Sequence, residues 1–227
     1  MFWQEDNKTQ KSGEPEVMDV SFKANADCMP VDHAYALYKA VTQILPWIRT
    51  EPYSAIHLIY GPESGNGWER PADSSSLLYL PRRSRFAVRV PKSKSEEVIE
   101  QLDGTKLDVA GYVLRLEKPH IKELSTINTV YARNVVIDSK ATEDEFLTSI
   151  VNELKPLGIA VKKIMCGKTH VLEYPPVGEL HTKSVMLTDL DIQDSLKLQT
   201  NGVGEYQFLG CGVFLPYKTV ENIPGVI

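Results

Sequence analysis

The chain has 227 residues, of which 42% are hydrophobic and 24% charged, with a formal net charge of −5; that is enough chain for one large domain or two of roughly 100 residues, each with its own core. No apolar run approaches the roughly 18 residues of a membrane helix, and the start, MFWQEDNKTQKSGEPE, lacks the basic beginning and apolar middle of a secretory signal, so the expected location is cytoplasmic, with no membrane partner. Cys28, Cys166 and Cys211 are odd in number and form no CxxC pair, which excludes a disulfide framework and points away from a zinc site.

Taken in order, residues 1–17 are polar and aperiodic and read as a flexible leader outside the fold. Met18, Val20 and Phe22 alternate with Asp19, Ser21 and Lys23, the period of a half-buried strand. Pro30 and Asp32 announce a helix with Asp32 as N-cap; Ala34, Leu37, Tyr38, Val41, Ile44 and Leu45 follow at helical spacing, and Pro46 marks the end. A second strand is expected over 55–60 (AIHLIY), then a Gly-, Pro- and Ser-rich exposed hairpin over 61–76. Strand returns over 77–80 and 86–90, a short helix over 95–102 with Ser95 as N-cap, and strand over 112–116.

After a linker around 119–125 the same order repeats: strand over 130–137, helix over 143–157, strand over 161–165, further strand over 171–174 and 184–187, helix over 192–199, and a last strand from Gly212. Two β-α-β-β-α-β units in tandem predict an α+β fold of two ferredoxin-like (RRM-like) domains, 18–118 and 119–227, with a glycine-rich loop before the last strand of the second.

That loop belongs to the stretch 202–218, GVGEYQFLGCGVFLPYK, where glycines stand at 202, 204, 210 and 212. Without a Cβ such a loop takes positive φ and turns its N–H groups outward, a pattern suited to phosphate. It is not GxGxxG, because the third glycine would fall at Gln207, and Gly167-Lys168-Thr169 lacks the leading glycine of a P-loop. No small-molecule cofactor is therefore indicated.

The net charge argues against nucleic acid until its distribution is considered. Between Pro81 and Lys94, Arg82, Arg83, Arg85, Arg89, Lys92 and Lys94 stand without any acid, so this window carries +6 and leaves −11 on the rest. Such a segment marks one surface for an anionic ligand. Of the five histidines, His33 opens the first helix and His57 lies in the second strand, while His120, His170 and His181 fall in linker or turn regions. An imidazole, with a pKa of roughly 6.5, can take a proton from a ribose 2′-OH near neutral pH. With no acid and histidine cluster at metal-ligand spacing, RNA cleavage would run by internal 2′-OH attack, giving a 2′,3′-cyclic phosphate and a 5′-OH. The pairs Glu96 and Glu97, and Glu143 and Glu145, each sit in the first turn of a predicted helix, where the dipole favours anions, and read as structural.

PVDHAYALYKAV in the first helix, IHLIYG in the second strand, DSLKLQ before the loop and the loop itself resemble motifs of the CRISPR repeat-RNA endoribonucleases, the precursor-cleaving members of the RAMP superfamily. The likeness is to the branch named for myxobacterial type I systems and covers about residues 18–218. It implies metal-independent cleavage of the repeat in a CRISPR transcript, with the guide RNA passing to the other subunits of a Cascade effector. It also implies His57 and His33 as catalytic imidazoles, Tyr35 as a substrate-holding side chain, and an active site between the first helix and the glycine-rich loop. Relatives commonly carry basic residues where this chain has Glu205, Tyr206 and Gln207. The expected RNA contacts are therefore Arg82, Arg83, Arg85, Arg89, Arg133, Lys162 and Lys163, with Gln207 and the backbone of Gly202, Gly204, Gly210 and Gly212. A non-catalytic subunit that caps the 3′ repeat hairpin of a guide RNA is the alternative. A small-molecule enzyme on the same scaffold is a third reading, without a cofactor motif to support it.

Overall fold

The computed structural model describes residues 16–61, 71, 73 and 76–217. Residues 1–15 of the expected leader and most of the expected hairpin over 61–76 lie outside the described residues, as does Lys218; Val17 already belongs to the first strand. In β1 (Val17–Asn25) the alternating apolar residues Val20, Phe22 and Ala24 are buried, as a strand with one covered face requires. It pairs antiparallel with β5 (Arg85–Pro91) and β7 (Tyr112–Glu123); β3 (Ala55–Ile56) and β6 (Lys106–Val109) close the edges, in the order β3-β5-β1-β7-β6. Leu37 and Val41 of α1 (Ala34–Ile44) and Val98 and Leu102 of α2 (Ser95–Leu102) share one core with Phe22, Phe86, Leu114 and Leu116. A ribbon of β2 (Cys28–Pro30) and β4 (Leu77–Tyr79) stands beside this sheet.

The second sheet has the order β11-β8-β10-β9, from β8 (Val130–Val136), β9 (Lys163–Tyr174), β10 (Gly178–Thr188) and β11 (Leu215–Pro216). Its core joins Ala132, Val185, Leu187 and Phe214 to Phe146, Ile150 and Leu154 of α3 (Glu143–Leu154) and Leu198 of α4 (Ile192–Asn201). At the start of α3, Thr142 and Glu145 close a capping box that satisfies two end N–H groups reciprocally. The Thr142 N–H, then its hydroxyl, hold the Glu145 carboxyl below its usual range. Among the described residues no helix is long and apolar enough to cross a membrane.

Several local expectations change. His33, not Asp32, occupies the cap of α1, without a side-chain capping bond, because Asp32 Oδ2 instead accepts from the Glu173 N–H of β9 at 2.8 Å. Ser95 is the first helical residue of α2, with Lys94 at the cap. The expected linker at 119–125 is mostly strand: Lys118 takes a φ of 54°, the β1 register shifts between Ser21 and Lys23, and pairing resumes as far as Met18 with Glu123. The strands expected at 161–165, 171–174 and 184–187 merge into one long hairpin, β9–β10. The α3 helix ends at Leu154, where a short 3-10 turn over Lys155–Leu157 carries Pro156, whose ring cannot continue an α-helix.

The bodies are joined through Arg89. Its partners on β1 are the two oxygens of Asp19, at 2.8 and 3.1 Å, and its Nη1 donates to the Gln199 and Phe214 carbonyls of the second body at 2.5 and 3.1 Å. The side chain is 2% exposed.

Candidate active site at the seam

Beyond β3 the backbone keeps its alignment for one more bond, His57 N–H to Ala87 O at 3.0 Å. Since Ala55 stands opposite Arg89, the two-residue period of a strand turns His57 to the same side as Arg89 and Asp19. Its Nε2 lies 3.4 Å from Asp19 Oδ1, within ion-pair reach but without hydrogen-bond geometry. Burial by itself would raise the Asp19 carboxyl, but Arg89 and then His57 outweigh it and hold the group far below the usual carboxylate range. An anion is thus fixed behind the imidazole at neutral pH.

In front of His57 is a small cavity of about 50 Å³, lined also by Tyr60, Tyr131, Arg133, Gly210 and Tyr217. Arg133 projects from β8 with its guanidinium 4.5 Å from the Tyr60 ring centre and 5.7 Å from that of Tyr131, a cation held over aromatic faces. Tyr131 and Tyr217 lie 5.8 Å apart, and the Tyr60 hydroxyl accepts from Asn134 Nδ2 at 3.3 Å. An imidazole, a guanidinium and several rings thus converge from both bodies, the elements needed to move a proton, hold a phosphate and stack a base.

The glycine-rich loop builds one wall, by a means other than the expected one. Gly210 N–H donates to Gln207 O at 3.0 Å, Gly212 N–H to Asn134 O at 2.6 Å, Gly204 N–H to Glu153 Oε1 at 2.6 Å and Gly202 N–H to Leu198 O at 2.9 Å. Each of these donors already has a partner within the protein, and Gly204 alone of the four is exposed, which corrects the expectation that they reach phosphate. What the glycines provide is close approach. A Cβ on Gly210 would stand 2.5 Å from Leu58 Cγ, next to His57, and one on Gly212 would stand 1.7 Å from Val203 O. Gln207 is likewise folded into the loop, its Nε2 donating to Gly204 O at 2.7 Å.

The other expected residues lie elsewhere. His33 is buried, with Nδ1 3.0 Å from the Pro30 carbonyl and Nε2 accepting from the Ile59 N–H at 3.2 Å; these partners select the Nδ1–H tautomer. Tyr35 packs edge-on to Tyr174 at 5.7 Å in an aromatic group with Tyr38, Tyr206 and Phe208, away from the residues that line the His57 cavity. Arg89, expected as an RNA contact, is corrected to a buried structural cation. Arg82, Arg83 and Arg85 are exposed at and after the β4–β5 turn, with Arg85 Nη2 donating to Ser21 O at 2.9 Å. Lys162 and Lys163 are exposed at the start of β9, where Lys163 meets Asp189 at 2.7 Å. Sequence reasoning overlooked Asp19, Tyr60, Tyr131 and Tyr217. The signal for Tyr131 was its place two residues before Arg133, hence on the same strand face.

A family model described as Cas6, Cas6 Crispr, matches residues 18–219. The CRISPR-associated endonuclease Cas6 of Myxococcus xanthus strain DK1622 is 25% identical over 199 residues, 88% of this chain and 81% of that one. Among solved structures, a CRISPR associated protein Cas6 aligns with a TM-score of 0.62 at 11% identity, over 89% of this chain and 100% of the other. Thermus thermophilus Cse3, solved with an RNA representing a pre-cleavage complex, aligns with a TM-score of 0.51 at 13% identity, over 88% and 98%. At these identities the structural likeness is one of fold.

Proposed function

The chain belongs to the Cas6 CRISPR family, and from that premise we propose that it is a metal-independent endoribonuclease that cuts CRISPR precursor RNA within its repeats and stays with the guide RNA in a Cascade effector in the cytoplasm. The observation that carries the catalytic assignment is the convergence of His57 and Arg133 on one cavity at the seam. His57 takes the proton of the 2′-OH, O2′ bonds to the adjacent phosphorus, and the P–O5′ bond breaks. The 5′ oxygen leaves with a proton from cleft water, and the products are a 2′,3′-cyclic phosphate and a 5′-OH. Arg133 offsets the charge that gathers on the phosphorane, and Tyr131 with Tyr217 stacks a neighbouring base. His33, with both ring nitrogens engaged by backbone, supports the segment that carries His57, and Tyr35 closes the seam around Tyr174. Arg82, Arg83, Arg85, Lys162 and Lys163, the last ion-paired to Asp189, are outlying exposed cations for RNA.

Strand order supports reading each body as ferredoxin-like. In β11-β8-β10-β9 the fourth strand of the unit borders the first and the first borders the third; β3-β5-β1-β7 is the same arrangement with β6 added at the edge. The division expected at 118/119 we propose to move to residues 124–129, because β7 runs on to Glu123.

Incubation of the protein with its repeat RNA in EDTA tests the reading. Two fragments, the upstream one ending in a 2′,3′-cyclic phosphate, are expected. Tight binding with intact RNA would instead favour the non-catalytic subunit that caps the repeat hairpin.

A further inference from the structure

The outer face of the first sheet carries a row of cations whose register is unfavourable for the protein alone. Lys23 of β1 stands directly opposite Arg85 of β5, and Lys106 of β6 directly opposite Arg115 of β7. Like charges directly across an antiparallel pair destabilise it. Asn25 opposite Arg115 and Glu117 opposite Lys23 place all these residues on one face. It is the face of Asp19 and Arg89, by the strand period, and Arg85, Lys106 and Arg115 are exposed on it. The acids nearby offset only part of this charge: Glu117 accepts from Asn25 Nδ2 at 2.8 Å and lies 3.7 Å from Arg115, and Asp108 Oδ1 accepts from the Gly111 N–H. At the outer end, Asn25, Asp27, Leu80, Arg82, Val113 and Arg115 line a groove of about 400 Å³. At the inner end, Ala87, the backbone partner of His57, lies two residues from Arg85, about 7 Å along the strand.

We propose that this face is a second RNA site, a track for the single strand that leaves the His57 cavity, with Lys23, Arg85, Lys106 and Arg115 on its phosphates and the outer groove holding a nucleotide. Two opposed like-charged pairs on a protein of net charge −5 fit a surface whose charges are balanced by a bound polyanion. The choice of RNA as that polyanion rests on the endoribonuclease reading. Sequence-independent phosphate contacts suit a flank, whereas the cavity at the seam addresses the cut itself.

The test is fluorescence-anisotropy titration of the full chain with a short oligouridylate, which contains no repeat, over a range of salt. The wild type should bind, with affinity falling as salt rises. Lys23→Gln/Lys106→Gln/Arg115→Gln should bind at least tenfold more weakly, and its log–log salt slope should be shallower by about 2, at roughly 0.7 per lost phosphate contact. Lys140→Gln/Lys155→Gln, which removes charge at α3 instead, should stay near wild type. Thermal melting gives the independent readout: Lys106→Gln, relieved of Arg115, should melt no lower than wild type while binding more weakly. Equal affinity and slope for the triple variant, or capture of an acidic protein without binding of oligouridylate, would overturn the proposal. Because oligouridylate binding involves no cleavage, failure here with intact repeat cleavage removes only the track, and binding here without repeat cleavage removes only the nuclease reading.

Discussion

Arg89 is a cation almost without water, and its neighbours are arranged to compensate for that. Removing a charge from solvent costs several kcal/mol unless partners replace the hydration, and here a carboxylate and two carbonyls do so. Asp19→Ala leaves the guanidinium buried without its anion and should cost about 3–5 kcal/mol in urea unfolding. The folded Asp19 carboxyl lies below its unfolded value, so its contribution is complete above roughly pH 5 and is lost as pH falls. Asp19→Asn should accordingly flatten the loss of stability between about pH 5 and 2. Cys211 behaves in the opposite sense: burial, reinforced by the charge of Asp32, pushes its thiol up to about 12. At mildly alkaline pH iodoacetamide should label the half-buried Cys28 and Cys166 in the native protein and spare Cys211. The fate of Arg89 was not legible in the sequence. It sits among exposed arginines, and the carbonyls that bury it are 110 and 125 residues away.

At the scale of elements, the loop at 202–212 shows what glycine spacing does and does not convey. The run of glycines rightly signals positive φ and close approach, since Gly210 and Gly212 have φ of 75° and 65°. Which groups receive the N–H donors of Gly204 and Gly212 depends on the docking of α3 and β8, which no local pattern encodes. Gly212→Ala, with Val203 O 1.7 Å from the new carbon, should destabilise far more than Gly204→Ala, which has a φ of 77° but nothing within 4 Å. The latter should lose about 1–2 kcal/mol, the left-handed penalty alone. Equal losses in thermal melting would contradict this account of the loop. Helix positions were legible because apolar spacing carries them; caps were less so, because Asp32 serves β9 rather than α1.

At the scale of the molecule, a mixed α+β chain built on two sheet-based bodies was legible because alternation and helical spacing are local. The seam was not, because it depends on register. A residue shift in β3 would turn His57 away from Asp19, and the pairing of Ala55 with Arg89 that prevents this spans long sequence separation. His57 and Arg133 come from different bodies, so each is positioned by the joint that Arg89 and the aromatic group around Tyr174 maintain. The measurement that bears most directly on the central claim is single-turnover cleavage of repeat RNA in EDTA, with protein in saturating excess, by the wild type and His57→Ala. The account predicts that His57→Ala cleaves about two to four decades more slowly while binding the RNA with nearly unchanged affinity. Cleavage by His57→Ala at the wild-type rate would contradict it.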